Sequence, residues 1–163
     1  MSKPKENELI YNVLTHHLNH YLEVKKIFKI DYDSQMILLA VYSYFLYQTM
    51  NPNLKEKGNE GLEWNEFFPT IKNIPKNKKK YKIKLSIFSV SQMLAIPKES
   101  VRRKVSQLCK KKYLDFSIKD GLIIGDNLES TVRKIAPKDL EMLAKVIHSV
   151  NEIGGVQKLK KFK

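Results

Sequence analysis

The sequence predicts a mainly α-helical protein that carries a small β-hairpin. Apolar residues recur at helical spacing in three long segments, residues 6–28, 34–50 and 137–152. One shorter segment, residues 113–126, places two β-rich runs around Asp120-Gly121, a pair of residues typical of tight hairpin turns. Long helical repeats and one hairpin signal together favour this fold class.

Length and composition exclude several classes of protein. The 163 residues are enough to bury a core, and the longest apolar run, residues 36–47, is too short to span a bilayer. No apolar stretch of a signal peptide follows the N-terminal charges. The single cysteine, Cys109, can form neither an intramolecular disulfide nor a cysteine-based zinc site. We therefore expect a soluble cytoplasmic protein without a membrane segment.

The sequence also lacks the patterns of common enzymes. It contains no nucleophile–base arrangement, P-loop or dinucleotide-binding glycine pattern. His16, His20 and Glu23 share one face of a helix, but the glutamate of a zinc-protease motif is missing, and an ordinary polar face is the favoured interpretation. We expect no enzymatic activity, no cofactor and no metal.

Two long helices and a short one are predicted in the N-terminal part. The apolar stripe of residues 6–28 comprises Ile10, Val13, Leu14, Leu18, Tyr21 and Leu22. "DYDS" offers N-caps for the helix at 34–50, which is apolar nearly all round and therefore expected at the centre of the core. "GLEWNEFF" predicts a short helix, and residues 70–80 predict an exposed loop.

The hydrophobic period changes in the middle of the chain. Over residues 80–87 apolar and polar side chains alternate, which predicts a strand with one buried and one basic face. Ser89, with Gln92 three positions later, predicts the start of a short helix that ends near Ala95. Pro97 suits the first turn of a second helix, residues 97–112.

The second helix is predicted to have one apolar and one polar face. Its inward stripe comprises Val101, Val105 and Leu108, and the opposite face carries Glu99, Arg103, Ser106 and Lys110. The hairpin follows, and then a helix at 137–152 that "APKD" starts and Gly154-Gly155 stops. Its apolar stripe comprises Leu140, Leu143, Ile147 and Val150. The tail at 156–163 is expected to be loose.

Positive charge is concentrated in the same region as this second helix. Residues 72–119 contain 15 basic and 2 acidic residues, whereas residues 1–71 contain 7 basic and 9 acidic residues. Two of the three arginines in the chain, Arg102 and Arg103, stand side by side in the helix. This distribution predicts a polyanionic partner, nucleic acid before membrane.

The segment "SVSQMLAIPKESVRRKVSQLCKKKYL" resembles the DNA-binding half of bacterial winged helix-turn-helix transcription regulators. The resemblance covers roughly 45 of 163 residues and does not single out one family. It implies a winged helix-turn-helix unit at 71–126, with a small β-wing. N-terminal helices at 1–70 and a C-terminal helix with a basic tail at 127–163 would extend this unit.

The segment departs from the usual pattern at two positions. Such turns usually place glycine where this chain has Ala95, and often serine where it has Pro97. Alanine with a positive φ costs roughly 1 kcal/mol, and proline exchanges one way of starting a helix for another.

By this resemblance, the first turns of the second helix would read base edges in the major groove. The base-reading residues would be Lys98, Glu99, Arg102 and Arg103. Arginine suits this role because its planar fork matches guanine, which lysine cannot do. The phosphate-contacting residues would be Ser89, Ser100, Ser106, Lys82, Lys84, Lys110, Lys111 and, at the tip of the wing, Lys119.

We therefore expect a sequence-specific double-stranded DNA-binding transcription regulator, associated with the nucleoid when bound. Two alternatives stay open: a winged-helix module that docks a protein or RNA, and a replication initiator of plasmid or phage type. The helices at 6–28 and 137–152 carry more apolar surface than a lone winged domain needs, so a homodimer through them is expected. The sequence identifies neither a small-molecule effector nor a target sequence, and it does not distinguish an activator from a repressor.

Overall fold

The computed structural model describes residues 5–50 and 84–159, and helices dominate this part of the chain. Its helices are α1 (Lys5–Phe28), α2 (Tyr32–Met50), α3 (Ile87–Leu94), α4 (Lys98–Lys110), α5 (Asp126–Glu152) and α6 (Val156–Leu159). Strands β1 (Leu114–Ser117) and β2 (Gly121–Ile124) form an antiparallel two-stranded sheet. The predicted fold class, mainly helical with a small sheet, is confirmed at this level. The helix predicted at 61–68 and the loop at 70–80 lie outside the described residues.

The described residues form two compact units. One contains α1 and residues 131–159, and the other contains residues 31–50 and 84–130. In the second unit α2 packs against α3, α4 and β2, with Ile37, Val41 and Phe45 buried. The Asp31 carboxylate accepts a hydrogen bond of 2.9 Å from the Ser34 amide and so caps α2, as "DYDS" predicts. The three sequence segments 1–70, 71–126 and 127–163 stay a prediction.

In the first unit, α1 and α5 lie side by side and run antiparallel. Asn12 Nδ2 donates to Ser149 Oγ at 2.7 Å near one end of the pair, and Lys138 Nζ donates to Glu23 Oε2 at 2.9 Å near the other. His20 Nδ1 lies between them, 2.9 Å from both carboxylate oxygens of Asp139. Apolar side chains are buried in this unit as well, among them Leu9 and Val24 on α1 and Ile135 on α5.

Helix α3 begins earlier than its sequence suggests. Its N-cap is Ser86, whose side chain accepts a hydrogen bond of 3.0 Å from the Ser89 amide, so the predicted cap at Ser89 is wrong. The predicted strand at 80–87 is also wrong where it is described, because residues 84–86 are outside any strand and Ile87 is helical. Leu85 still points inward, as the alternation predicts, and its carbonyl accepts from the Leu122 amide at 2.8 Å.

A tight turn, residues 95–97, joins α3 to α4. Ala95 has φ 52° and ψ 32°, which is the left-handed conformation. This conformation was expected, because turns of the winged helix-turn-helix pattern usually have glycine at this position. Ser91 Oγ donates to the Ile96 carbonyl at 2.7 Å, and the Ile96 amide donates back to the Ser91 carbonyl at 3.2 Å. These bonds fix the direction in which α4 leaves the turn.

Ala95→Gly is expected to raise the free energy of unfolding by about 1 kcal/mol, because glycine adopts positive φ without steric cost. Ala144→Gly, the same change on an exposed position inside α5, is expected to lower it by about 1 kcal/mol. Urea denaturation of both variants measures the change in the free energy of unfolding and shows whether it rises or falls. A loss of stability in both would show that residue 95 does not need the left-handed conformation.

The hairpin closes where the sequence predicts it. Leu114 pairs with Ile124 and Ser117 with Gly121, and Gly121 has φ 78°. The Asp120 amide donates to Ser117 Oγ at 2.9 Å, which tightens the turn. Leu114 and Leu122 are buried and attach the hairpin to its unit.

Helix α5 is much longer than predicted. It begins at Asp126 and not near Pro137, which lies inside it. The Asn127 amide donates to the Lys112 carbonyl at 2.9 Å, so a first-turn donor is satisfied from outside the helix. Pro137 removes one amide donor but does not end the helix. The tail also differs from its prediction, because Val156–Leu159 forms the short helix α6.

Candidate nucleic-acid interface

The orientation of α4 follows from its apolar stripe. Val101, Val105 and Leu108 are buried, as predicted, and hold this side of the helix against the core. The opposite side is exposed. We call this side the outward face of α4; its residues are Glu99, Arg102, Arg103, Ser106 and Lys110. Lys98, at the start of the helix, is exposed beside it. Burial of the stripe therefore presents all four predicted base-reading residues to solvent.

The two arginines of the outward face differ in their partners. Arg102 Nη1 lies 3.5 Å from Glu99 Oε1, and both side chains are more than half exposed. Glu99 and Arg103 are also one helical turn apart, but the structure pairs Glu99 with Arg102. Arg103 is exposed, and it has no ion-pair partner among the described residues.

Lys104 is a basic residue of α4 that points away from the outward face and is partly buried. Its Nζ donates to Asp31 Oδ2, the carboxylate that also caps α2. Partial burial acts to raise the pKa of Asp31, but the hydrogen bonds from Lys104 and Ser34 outweigh it and lower this pKa to about 2. The pair therefore persists at neutral pH and connects α4 to the start of α2. Sequence reasoning missed it, because the two residues are far apart and nothing local marks them.

Three consecutive lysines, of which the first belongs to the outward face, lie at the end of α4. Lys110, Lys111 and Lys112 are exposed, and Lys112 has φ 58°. Asn127 Nδ2 donates to the Lys111 carbonyl at 3.1 Å, which anchors this segment to the start of α5. Cations here are also favourable for the dipole of α4. The segment thus forms a fixed, strongly positive end to the helix.

The remaining predicted phosphate-contacting residues lie at several different places in the chain. Lys84 and Lys119 are exposed near the tip of the hairpin, where Lys84 Nζ donates to the Ile118 carbonyl. Ser100 is partly buried in the first turn of α4. Ser89 Oγ lies 2.9 Å from Ser86 Oγ inside the cap of α3, which reduces its availability. Lys82 lies outside the described residues.

Gln107 is an exposed residue of α4 that the sequence analysis overlooked. It lies one turn after Arg103, and its amide offers the donor and acceptor that suit adenine. The spacing of four residues was the signal that could have found it.

Two of the three side chains that share a face of α1, His20 and Glu23, have partners in the protein, whereas buried His16 Nδ1 has no hydrogen-bond partner among the described residues. His20 approaches Asp139, and Glu23 binds Lys138, which lowers the pKa of the Glu23 carboxyl through the hydrogen bond from that lysine. Within residues 5–50 and 84–159 no three histidine, cysteine or acidic side chains are placed to hold a metal ion. In the same ranges no helix combines the length and apolar character of a membrane crossing.

No protein-family model, curated protein or solved structure matches this chain. Its function is therefore inferred from its own residues, charges and contacts.

Proposed function

We propose that the chain is a sequence-specific double-stranded DNA-binding transcription regulator. In this proposal residues 84–125 form a winged helix-turn-helix, with α4 as the recognition helix and the hairpin as the wing. The observation that carries the proposal is the outward face of α4, where two of the three arginines stand exposed on a helix held by buried apolar residues. A helix of this kind fits the major groove and brings its first turns to base edges.

Each charged group has a role that its position supports. Arg103, without a partner among the described residues, would donate both arms of its fork to a guanine. Glu99 can accept from a cytosine amine, and Lys98 adds a donor at the start of the helix. Lys110 and Lys111 would neutralise phosphates and contribute affinity without sequence information.

A second candidate function is a docking module for another protein. Two apolar side chains of the hairpin favour it, since Ile118 is 86% exposed and Phe116 is 46% exposed. Exposed apolar residues at a hairpin tip suit a protein surface better than a phosphate backbone. The experiment below separates the two functions.

Selection of bound duplexes from a random DNA pool, at near-physiological salt, tests the proposal. The wild-type chain is expected to enrich one motif. Arg103→Ala is expected to lose preference at one guanine position by about 1–3 kcal/mol, which is roughly 5- to 160-fold. Arg103→Lys keeps the charge but not the fork, and we expect it to lose the same preference while binding random duplexes as the wild type does.

Lys134→Ala provides the control for charge, because it removes one exposed positive charge from α5. It is expected to leave the motif unchanged. Enrichment of no motif, with binding that only weakens as salt rises, would contradict sequence-specific reading and favour the docking module. An iterated motif would favour a replication initiator over a regulator, whose sites are commonly palindromic.

A further inference from the structure

The predicted apolar stripe of α1 is exposed. Four of its residues, Ile10, Leu14, Leu18 and Leu22, follow one another at intervals of four and are between 48% and 64% exposed. Residues four apart form one row along a helix. We call this row the α1 stripe.

The contacts between α1 and α5 do not cover the α1 stripe. Leu9 is buried, and Leu18, nine residues later, lies on the opposite side of the helix at 100° per residue. Asn12 and His20, which contact α5, are on the side of Leu9. Helix α1 therefore turns one side inward, with buried Leu9 and Val24 beside Asn12 and His20, and leaves a second apolar side open.

Helix α5 repeats this arrangement. The predicted stripe residues Leu140, Leu143 and Ile147 are 65%, 43% and 53% exposed. At roughly 50–80 Å² of apolar surface for each half-exposed side chain, the two stripes together expose about 350–550 Å². That area is at the upper end for an isolated monomer and approaches the roughly 800 Å² that one partner contributes to a standard interface.

The charges at the ends of α1 indicate which partner fits. Glu6 and Glu8 lie in its first turn, and Lys25 and Lys26 lie in its last turn. Glu6 also lies 3.7 Å from Lys158 of the same chain, in an exposed pair that a partner's lysine would join or displace. A second α1 that runs antiparallel, centred on the midpoint of the stripe, places the partner's Leu22 opposite Ile10 and the partner's Leu18 opposite Leu14. The same register brings the partner's Lys25 and Lys26 to the two glutamates at both ends. A parallel pairing would place like charges together.

We propose that a second copy of this chain covers the α1 stripe, with the two α1 helices antiparallel across a two-fold axis near residue 16. The interface is isologous, because each copy contributes the same stripe and the same pair of charged ends. The α5 stripes extend the apolar surface of this dimer.

Sedimentation equilibrium without DNA tests the dimer independently of DNA binding. The wild-type chain is expected to have about twice the monomer mass of 19.1 kDa. Leu18→Glu is expected to weaken the dimer by at least about 100-fold, since it buries a charge at the centre of the interface. Ile118→Glu, the same kind of change at the exposed hairpin tip, is expected to leave the dimer intact. Circular dichroism confirms that both variants stay helical, and Leu14→Gln repeats the test with a neutral side chain.

Disulfide cross-linking tests the register. An equimolar mixture of Ile10→Cys and Leu22→Cys chains is expected to form a mixed disulfide under mild oxidation, whereas Ile10→Cys alone is not. Burial, and then the charge of Asp115, raise the pKa of the native Cys109 thiol, which keeps it a slow competitor.

Three results would overturn the proposal. A wild-type chain that sediments as a monomer would show that no second copy covers the α1 stripe. A dimer that Leu18→Glu and Leu14→Gln leave unchanged would use another surface. A cross-link formed by Ile10→Cys alone would show a parallel pairing.

Discussion

Gly121→Ala is expected to lower the free energy of unfolding by roughly 3 kcal/mol. Two effects add at this position. Gly121 has φ 78°, which costs alanine roughly 1 kcal/mol, and a Cβ built there would lie 2.3 Å from the Leu85 carbonyl oxygen. Because that oxygen accepts the hydrogen bond from Leu122, it cannot move without breaking the link between residue 85 and the hairpin.

Gly155→Ala separates the two effects. Gly155 has a similar φ, 77°, but a Cβ there would meet no atom within 4 Å. The Gly155→Ala variant is therefore expected to lose about 1 kcal/mol of its free energy of unfolding, the cost of positive φ for alanine alone. Guanidinium denaturation followed by circular dichroism measures both variants. Equal losses would show that residue 85 does not lie against the turn.

Replacing Lys110, Lys111 and Lys112 together by glutamine is expected to weaken DNA binding roughly 100-fold at physiological salt. All three side chains are exposed at the end of α4. Three lost phosphate contacts should make the plot of log affinity against log salt shallower by about 3, and equally so for every duplex sequence. The motif selected from random DNA should stay the same.

The matched control replaces Lys134, Lys145 and Lys158 by glutamine. Lys145 and Lys158 make exposed ion pairs with Glu141 and Glu6, which contribute little to stability, and the change in net charge is the same. Fluorescence anisotropy across a salt series measures both triple variants. If both lose affinity equally, the net charge of the chain governs binding and no phosphate track exists at the end of α4.

The features that depend on local sequence patterns were predicted correctly. The buried stripe Val101, Val105 and Leu108 and the Asp120-Gly121 turn needed only short-range information, because one period or one dihedral preference decides each. The resemblance to winged helix-turn-helix regulators anticipated the left-handed Ala95.

The helix boundaries and the ion pair that the sequence did not predict have two physical causes. Ser86 and Ser89 are both serines before an apolar run, and only the backbone entering the helix selects the first as its cap. Pro137 fits either the start or the interior of a helix. The helix starts at Asp126, where the Asn127 amide donates to the Lys112 carbonyl, a contact that the local sequence does not show. The Lys104–Asp31 pair has the same cause, a contact between residues that are distant in sequence, since it depends on how the helices pack.

The Glu99–Arg102 ion pair has a consequence for how a DNA-reading helix would discriminate. Any duplex that engages Arg102 must first displace the Glu99 carboxylate, which acts as a built-in competitor. Because an exposed pair of this kind contributes at most about 1 kcal/mol, the competition weakens binding to every duplex by up to about five-fold. A correctly placed guanine, at about 1–3 kcal/mol, more than compensates, whereas unrelated genomic sequence does not. The pair would thus shorten the time spent on every site by the same factor, so that only a site with the guanine contact keeps a long residence time.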